Sequence, residues 1–292
     1  MTPGQNIYAM QAHAVRDFVA QTNGSCNMRA LAECAPLMGP VAGDLMGYLS
    51  DGEACESLYV VQNGVAVVPV MGALVDRCRW IGSDWTTGYN VLKLQLEAAF
   101  ADAQVEGIVL RISSGGGMAS GLFDFVDWAL QAKAEAGKPV VAICDEEAYS
   151  AAYAIALIGD SISLPQTGGV GSIGAFSMHW EYSQWLEKEG DTVTIIRSGT
   201  RKADSNSYEP LPDAARADFQ ASVDALRLMF AQRVSDARGI DINIVLGTEG
   251  RAYFGPTAAK EAVALGLADA IISPDDALSY FAAVVAEQRS AA

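Results

Sequence analysis

A single serine stands out as a candidate nucleophile. Ser150 follows the β-branched run at 140–144 and an acidic stretch at 145–147, and it precedes a run of small and apolar residues at 151–158. Open α/β sheets present reactive groups just past the carboxyl end of a strand, at the start of the next helix. Serine is also a preferred N-cap residue. The position therefore fits either a nucleophile or a helix cap.

A serine nucleophile needs a base, and histidine is scarce. The two histidines are His13, interpreted as a surface helix residue, and His179, interpreted as structural. A lysine side chain can accept a proton when burial lowers the pKa of its ammonium group. Of the six lysines, Lys202 alone falls in a glycine-containing loop after a predicted strand. An exposed loop lysine remains the alternative interpretation.

A glycine-rich stretch at 113–117 follows a buried apolar run. Glycines let backbone N–H groups approach a ligand closely, and a following helix adds positive potential. The stretch is predicted as a turn that forms an oxyanion hole, a phosphate cradle or a plain tight turn. Because neither a dinucleotide-binding fingerprint nor a P-loop occurs, nucleotide binding has little support.

Strand and helix patterns alternate along the chain, which predicts an α/β fold with a mostly parallel sheet flanked by helices. Residues 1–60 are predicted to form a helical arm. The predicted strands are 65–70, 107–112, 140–144, 161–164, 192–196 and 268–272, with a glycine loop at 168–174. The predicted helices begin near 90 and cover 119–136, 150–158, 179–189 and 213–238.

Composition excludes several classes of partner. The formal charge of −16 would repel nucleic acid and anionic membranes. Five cysteines without a CxxC pair indicate reduced thiols and no metal cluster. The N-terminus has no signal-peptide pattern, and no apolar run is long enough to span a bilayer. We therefore expect a cytoplasmic protein without a cofactor.

The candidate motifs occur in a specific order. Ser-Gly-Gly-Gly at 114–117 is followed by Ala-Tyr-Ser-Ala at 148–151, Thr-Gly-Gly-Val-Gly-Ser-Ile-Gly at 167–174, Ser-Gly-Thr-Arg-Lys-Ala-Asp at 198–204 and Tyr-Glu-Pro-Leu at 208–211. This order resembles the signal peptide peptidase A family, peptidase family S49, and most of all its tailed-phage head-maturation branch. The resemblance runs from about residue 60 to about residue 272.

The resemblance implies a ClpP/crotonase-like fold and a Ser-Lys dyad. It assigns the nucleophile to Ser150, the general base to Lys202, oxyanion-hole amides to Gly116 and possibly Gly115, and support of the lysine to Ser172. The chain departs from the family where Ser114 replaces the usual proline, and where Ala151 and Ala152 follow the nucleophile instead of a glycine-containing pair.

The resemblance also implies an organisation and a role. We expect an N-terminal arm at 1–60, a peptidase domain at 61–275 and a C-terminal helix or tail at 276–292. The implied function is that of a serine endopeptidase that cleaves scaffold, portal or capsid proteins, or itself, as a homo-oligomer in the host cytoplasm or the procapsid interior. The alternatives are a general bacterial S49 peptidase, a non-catalytic assembly protein, and a crotonase-type acyl-CoA enzyme that uses Glu146 or Glu147.

Overall fold

The computed structural model describes residues 58–78 and 84–291 of the 292-residue chain. The strands are β1 Val60–Gln62, β2 Val65–Val75, β3 Thr86–Gly88, β4 Gly107–Gly117, β5 Val140–Tyr149, β6 Ile162–Leu164, β7 Gly169–Gly171, β8 Ala252–Phe254 and β9 Ala270–Ile271. The helices are α1 Tyr89–Ala101, α2 Leu122–Ala136, α3 Ala151–Ala156, α4 Ser183–Glu189, α5 Asp213–Arg238, α6 Ile242–Gly247, α7 Gly255–Ala264 and α8 Pro274–Ala291. Apart from its last three residues, the arm predicted at 1–60, with His13, lies outside the described residues, and the domain boundaries remain a prediction.

The strands form one sheet with the order β1-β2-β4-β5-β6-β9; in addition, β3 pairs with β2, and β7 pairs with both β5 and β8. Within the described residues only two pairings are antiparallel, β1 with β2 and β7 with β8. The predicted α/β fold with a mostly parallel sheet is confirmed.

Both faces of the central strand β4 are covered, which explains its apolar run at 107–110. Ile108, Leu110 and Ile112 face a core shared with α1, α2 and α3. Val109 points to the opposite face, where it clusters with Phe281 and Val285 of α8. Because alternate residues of a strand point to opposite faces, a run without polar residues is needed to fill both layers. The C-terminal helix is therefore part of the sheet's packing.

The turn predicted at 113–117 is wrong, the glycine loop predicted at 168–174 is wrong at 169–171, and the acidic stretch at 145–147 also lies in the sheet. Residues 113–117 continue β4, residues 145–147 continue β5, and residues 168–174 contain β7. Bulges keep these polar and glycine-rich segments in the sheet. Two residues of β4, Ser114 and Gly115, lie opposite Gly72 of β2. Three residues of β5, 145–147, lie opposite Ser113.

The segment that carries Lys202 also differs from its prediction. Residues 192–196 do not form a strand, and the side chains of Val193 and Ile196 are exposed. β-Branched residues favour a strand only where a neighbouring strand and a core receive them. Helix α4 begins at Ser183, so His179 precedes it, with its Nε2 atom 2.7 Å from the carbonyl oxygen of Asn206.

The long helix predicted at 213–238 is confirmed as α5. Among its large apolar side chains, Phe230 and Val234 near the C-terminus are buried, whereas Phe219 is half-buried. The contacts of α5 with α3 and α6 explain this division, because they cover only part of the helix.

Helix α3 is anchored from its buried side. Every residue from Ala151 to Ala156 is buried, and Tyr153 is fully buried while its hydroxyl donates to the Leu267 carbonyl oxygen at 2.8 Å. This hydrogen bond joins the helix that follows Ser150 to the segment before β9. It satisfies a carbonyl that would otherwise be buried without a partner on this side.

We predict that Tyr153→Phe lowers the free energy of unfolding by about 1–3 kcal/mol, since the ring is retained and the Leu267 carbonyl loses its donor. Denaturant unfolding followed by circular dichroism measures the change. Tyr280→Phe is the control, because the Tyr280 side chain is largely exposed on α8. Equal effects of the two substitutions would contradict the anchoring role.

Candidate active site

Ser150 adopts a backbone conformation that is rare for a residue other than glycine. Its φ is 53° and its ψ is −120°. The Ser150 N–H donates to the Gly171 carbonyl oxygen at 2.8 Å, and its own carbonyl accepts from the Ala154 N–H at 3.0 Å. Such strain persists only where neighbouring structure enforces it, and it is common at functional sites. Here strand β7 and helix α3 supply that enforcement.

The Ser150 hydroxyl does not cap helix α3. Its Oγ atom is buried and has no hydrogen-bond partner among the described residues. Buried hydroxyl groups nearly always have a partner, so an unpaired one in a strained turn indicates a functional group rather than a structural one. Ser150 occupies the N-cap position of α3, but its side chain makes no cap hydrogen bond, so the interpretation of its hydroxyl as a helix cap is wrong.

Gly116 lies directly beside the nucleophile candidate. Ser114 pairs with Ala148 across β4 and β5, and two residues further along each strand are Gly116 and Ser150. Gly116 has a φ of 102°, and a Cβ atom placed on it would lie 2.8 Å from both the Ser150 Cβ and the Tyr149 carbonyl oxygen. Only glycine allows this conformation and this approach.

The structure places Gly115 differently from Gly116. A Cβ atom on Gly115 would meet Glu147 Oε1 at 3.3 Å, so this residue faces the acidic bulge of β5. By contrast, the Ala151 nitrogen lies 3.2 Å from the Cβ position of Gly116. As the first residue of α3, Ala151 has an N–H group without an intrahelical acceptor. Sequence reasoning missed this donor, although the position after a nucleophile at a helix start was its signal.

Ser114 contacts the candidate oxyanion amide. The Gly116 N–H donates to Ser114 Oγ at 3.1 Å, and the Ser114 hydroxyl donates to the Gly72 carbonyl oxygen at 2.6 Å. Ser114 is buried, with an exposure of 1%. The side chain therefore bridges the bulge between β2 and β4.

Ser172 follows the glycine that holds Ser150. Gly171 of β7 pairs with Tyr149 of β5 in a parallel register. The residues that follow these two, Ser172 and Ser150, therefore leave the sheet at the same end. The Ser172 N–H donates to the Arg251 carbonyl oxygen at 2.9 Å, and its φ of 55° is also in the left-handed region. Ser172 and Ser150 thus belong to neighbouring strained turns at one end of the sheet.

Lys202 lies apart from this group, on an exposed turn. Its N–H donates to the Gly199 carbonyl oxygen at 3.1 Å. The preceding Arg201 forms ion pairs with Asp204, at 3.2 Å, and with Asp218 on α5, which hold the turn against the helix. Ser150 Oγ has no hydrogen-bond partner in the described part of the chain, so the Lys202 side chain does not hydrogen-bond to it.

Strand β5 carries several titratable side chains next to the site. Burial, with a further contribution from Glu146, raises the pKa of the Glu147 carboxyl group. Asp145 is paired with Arg111 at 2.7 Å. Burial raises the pKa of the Cys144 thiol to about 12, so this cysteine remains protonated and unreactive at neutral pH.

Residues 132–289 match the model of peptidase family S49. The chain belongs to peptidase family S49. It is 39% identical over 230 residues to capsid assembly protease C of Escherichia phage lambda, covering 78% of this chain and 51% of that protein. It is 38% identical over 236 residues to head-tail preconnector protein GP5 of Enterobacteria phage P21, covering 80% of this chain and 46% of that protein. The chain thus spans about half the length of these two phage proteins.

Among solved structures, an enoyl-CoA hydratase/isomerase family member matches this chain with a TM-score of 0.45 and 18% identity. The match covers 80% of this chain and 75% of the chain in that structure. No helix in the described ranges combines the length and apolar character needed to cross a membrane. The same ranges contain no group of three or more His, Cys, Asp or Glu side chains arranged to hold a metal ion.

We predict that Gly116→Ala lowers the free energy of unfolding by at least about 3 kcal/mol, because backbone strain and overpacking against Ser150 both oppose the methyl group. Gly137→Ala is the matched control. Gly137 also has a positive φ, of 63°, but a Cβ atom there meets nothing within 4 Å, so only about 1 kcal/mol is expected. Urea unfolding measures both, and similar losses would contradict the close packing at Gly116.

Glu147 provides a pH-dependent test of the acidic bulge. Its pKa is higher in the folded than in the unfolded chain, so ionisation costs stability as pH rises through the window from the unfolded to the folded pKa. We predict that Glu147→Gln stabilises the protein above that window and that the gain shrinks below it. Unfolding measured over a pH series that starts below the ordinary glutamate pKa gives the profile. Glu189→Gln, at an exposed position on α4, should show no such trend.

Proposed function

We propose that this S49 chain is a serine endopeptidase that cleaves phage head proteins, with Ser150 as nucleophile and Lys202 as general base. The observation that carries the proposal is the buried Ser150 hydroxyl, unpaired within the described residues and held in a strained turn against Gly116. The names of the two phage relatives, a capsid assembly protease and a head-tail preconnector protein, support substrates among scaffold, portal or capsid proteins, or the chain itself.

The proposed reaction is acyl transfer to serine followed by hydrolysis. Neutral Lys202 Nζ takes the Ser150 proton while Oγ bonds to the scissile carbonyl carbon, and the carbonyl π electrons move to its oxygen. The N–H groups of Gly116 and Ala151 stabilise that oxyanion. Collapse breaks the C–N bond, and the leaving amine takes the proton from Lys202. Water then attacks the ester and releases Ser150, so no cofactor is consumed.

We propose further that Lys202 reaches Ser150 from a neighbouring copy in a homo-oligomer. Lys202 is exposed and Ser150 Oγ lacks an intrachain partner in the described region. The segment around Lys202 also exposes large apolar side chains, Trp180, Trp185 and Ile196, the last with 96% exposure. Exposed apolar patches of this kind favour protein–protein contact. Association would bury them and would bring the lysine to a serine at the same time.

We predict that Ser150→Ala abolishes peptide cleavage and that Lys202→Ala lowers kcat about 10²–10⁴-fold through loss of proton transfer. A fluorophosphonate probe should label the parent protein and fail to label Ser150→Ala. Lys188→Ala is the matched control, because Lys188 is an exposed lysine on α4 of the same segment. Cleavage by Ser150→Ala, or a parent-level kcat in Lys202→Ala, contradicts the dyad, and absence of labelling favours a non-catalytic assembly protein.

Mixing the two inactive variants tests where the lysine comes from. Co-refolded Ser150→Ala and Lys202→Ala chains should regain activity at about one quarter of the sites, since random assembly pairs an intact serine with an intact lysine at that frequency. If the dyad closed within one chain, every mixed site would lack one partner, and the mixture would stay inactive. Cleavage of unrelated peptides as efficiently as of head proteins would indicate a general S49 peptidase.

A further inference from the structure

The Ser114 hydroxyl accepts a hydrogen bond from the Gly116 N–H, which is a donor that the proposed reaction needs. It accepts from the Gly116 N–H at 3.1 Å while it donates to the Gly72 carbonyl oxygen at 2.6 Å. The residue has an exposure of 1%, so its hydroxyl does not exchange readily with bulk water. In the resting site the amide beside the nucleophile is therefore already paired within the chain.

We propose that Ser114 is a positioning residue that holds the Gly116 N–H in the resting enzyme and releases it to the oxyanion when the tetrahedral intermediate forms. The inference rests on the proposed function, in which Gly116 is an oxyanion donor. Ser114 does not contact the reacting atoms in this account. It acts by setting when the amide becomes free.

The acceptors that compete for the amide explain the timing. A neutral substrate carbonyl is about as good an acceptor as a serine hydroxyl, so the exchange gains little in the bound ground state. Hydrogen bonds to an ionised acceptor are roughly twice as strong, so the developing oxyanion displaces the hydroxyl. The amide thus contributes mainly when charge develops, and the reaction bears the loss of one neutral hydrogen bond.

The bulge geometry explains why Ser114 can make this contact. Ser114 and Gly115 together lie opposite Gly72 alone, which turns the Ser114 side chain back toward both the Gly72 carbonyl and the Gly116 N–H. Pairing resumes at Ala73 with Gly116, so the backbone around the amide is held independently of the hydroxyl. Loss of the hydroxyl should therefore free the amide without displacing it.

Substitutions of Ser114 test the proposal through the rate at which Ser150 reacts. We expect Ser114→Ala to raise kcat/KM and the second-order rate of fluorophosphonate labelling by up to about tenfold, the value of one neutral hydrogen bond. Ser114→Cys, which keeps nearly the same volume but is a weak acceptor, should raise both rates in the same direction. Ser114→Thr retains the hydroxyl and should label at the parent rate. Ser113→Ala is the control on the neighbouring position.

The outcomes separate the proposal from simple structural roles and from the proposed function. Thermal unfolding identifies folded variants, and if Ser114→Ala does not fold, Ser114→Cys carries the test. Folded Ala and Cys variants that label no faster than the parent overturn the proposal, as does acceleration by Ser113→Ala. A parent protein whose Ser150 is never labelled, and whose cleavage persists in Ser150→Ala, would instead remove the proposed function itself.

Discussion

The hydrogen bond from the Ser150 N–H to the Gly171 carbonyl depends on a bulged register that the rest of the site also needs. Strand β5 carries three residues, 145–147, opposite Ser113, and pairing resumes where Ser114 meets Ala148. That register brings Gly116 beside Ser150 on one side while β7 holds Ser150 on the other. Shifting β5 by one residue would reverse which side chains face the site.

The strained turn at Ser150 is held by burial on both sides of it. A left-handed φ at a serine costs about 1–3 kcal/mol. Helix α3, all of whose residues are buried, offsets this cost, because burial of one large side chain such as Tyr153 or Ile155 contributes about 1.5–3 kcal/mol. The small residues of α3 let it lie close against β4 and β5. Packing and catalytic geometry thus place the same demand on residues 151–156.

Sequence patterns predicted the parts of the fold whose local and tertiary preferences agree. The strand at 107–112 and helix α5 are such cases, since the residue patterns of both segments agree with the elements that form there. The extension of β4 through Gly117 was not predictable, because serine and glycine locally favour a turn and only pairing with Ala73 and Leu74 keeps them extended. The prediction for residues 192–196 failed for the opposite reason. Their composition favours a strand, but no strand of the described chain pairs with them.

The candidate nucleophile and base lie in opposite environments, and this contrast has a consequence for control. Ser150 is buried and fixed by three neighbouring elements, whereas Lys202 is exposed on a turn tied mainly to α5 through Arg201. If the base is supplied by another copy, as proposed, hydrolysis depends on local concentration, because an isolated chain then has the proposed nucleophile without its proton acceptor. A Ser114 hydroxyl that retains the oxyanion amide adds a second restraint at the same centre. Under both proposals together, activity would arise only where copies assemble and substrate is already bound.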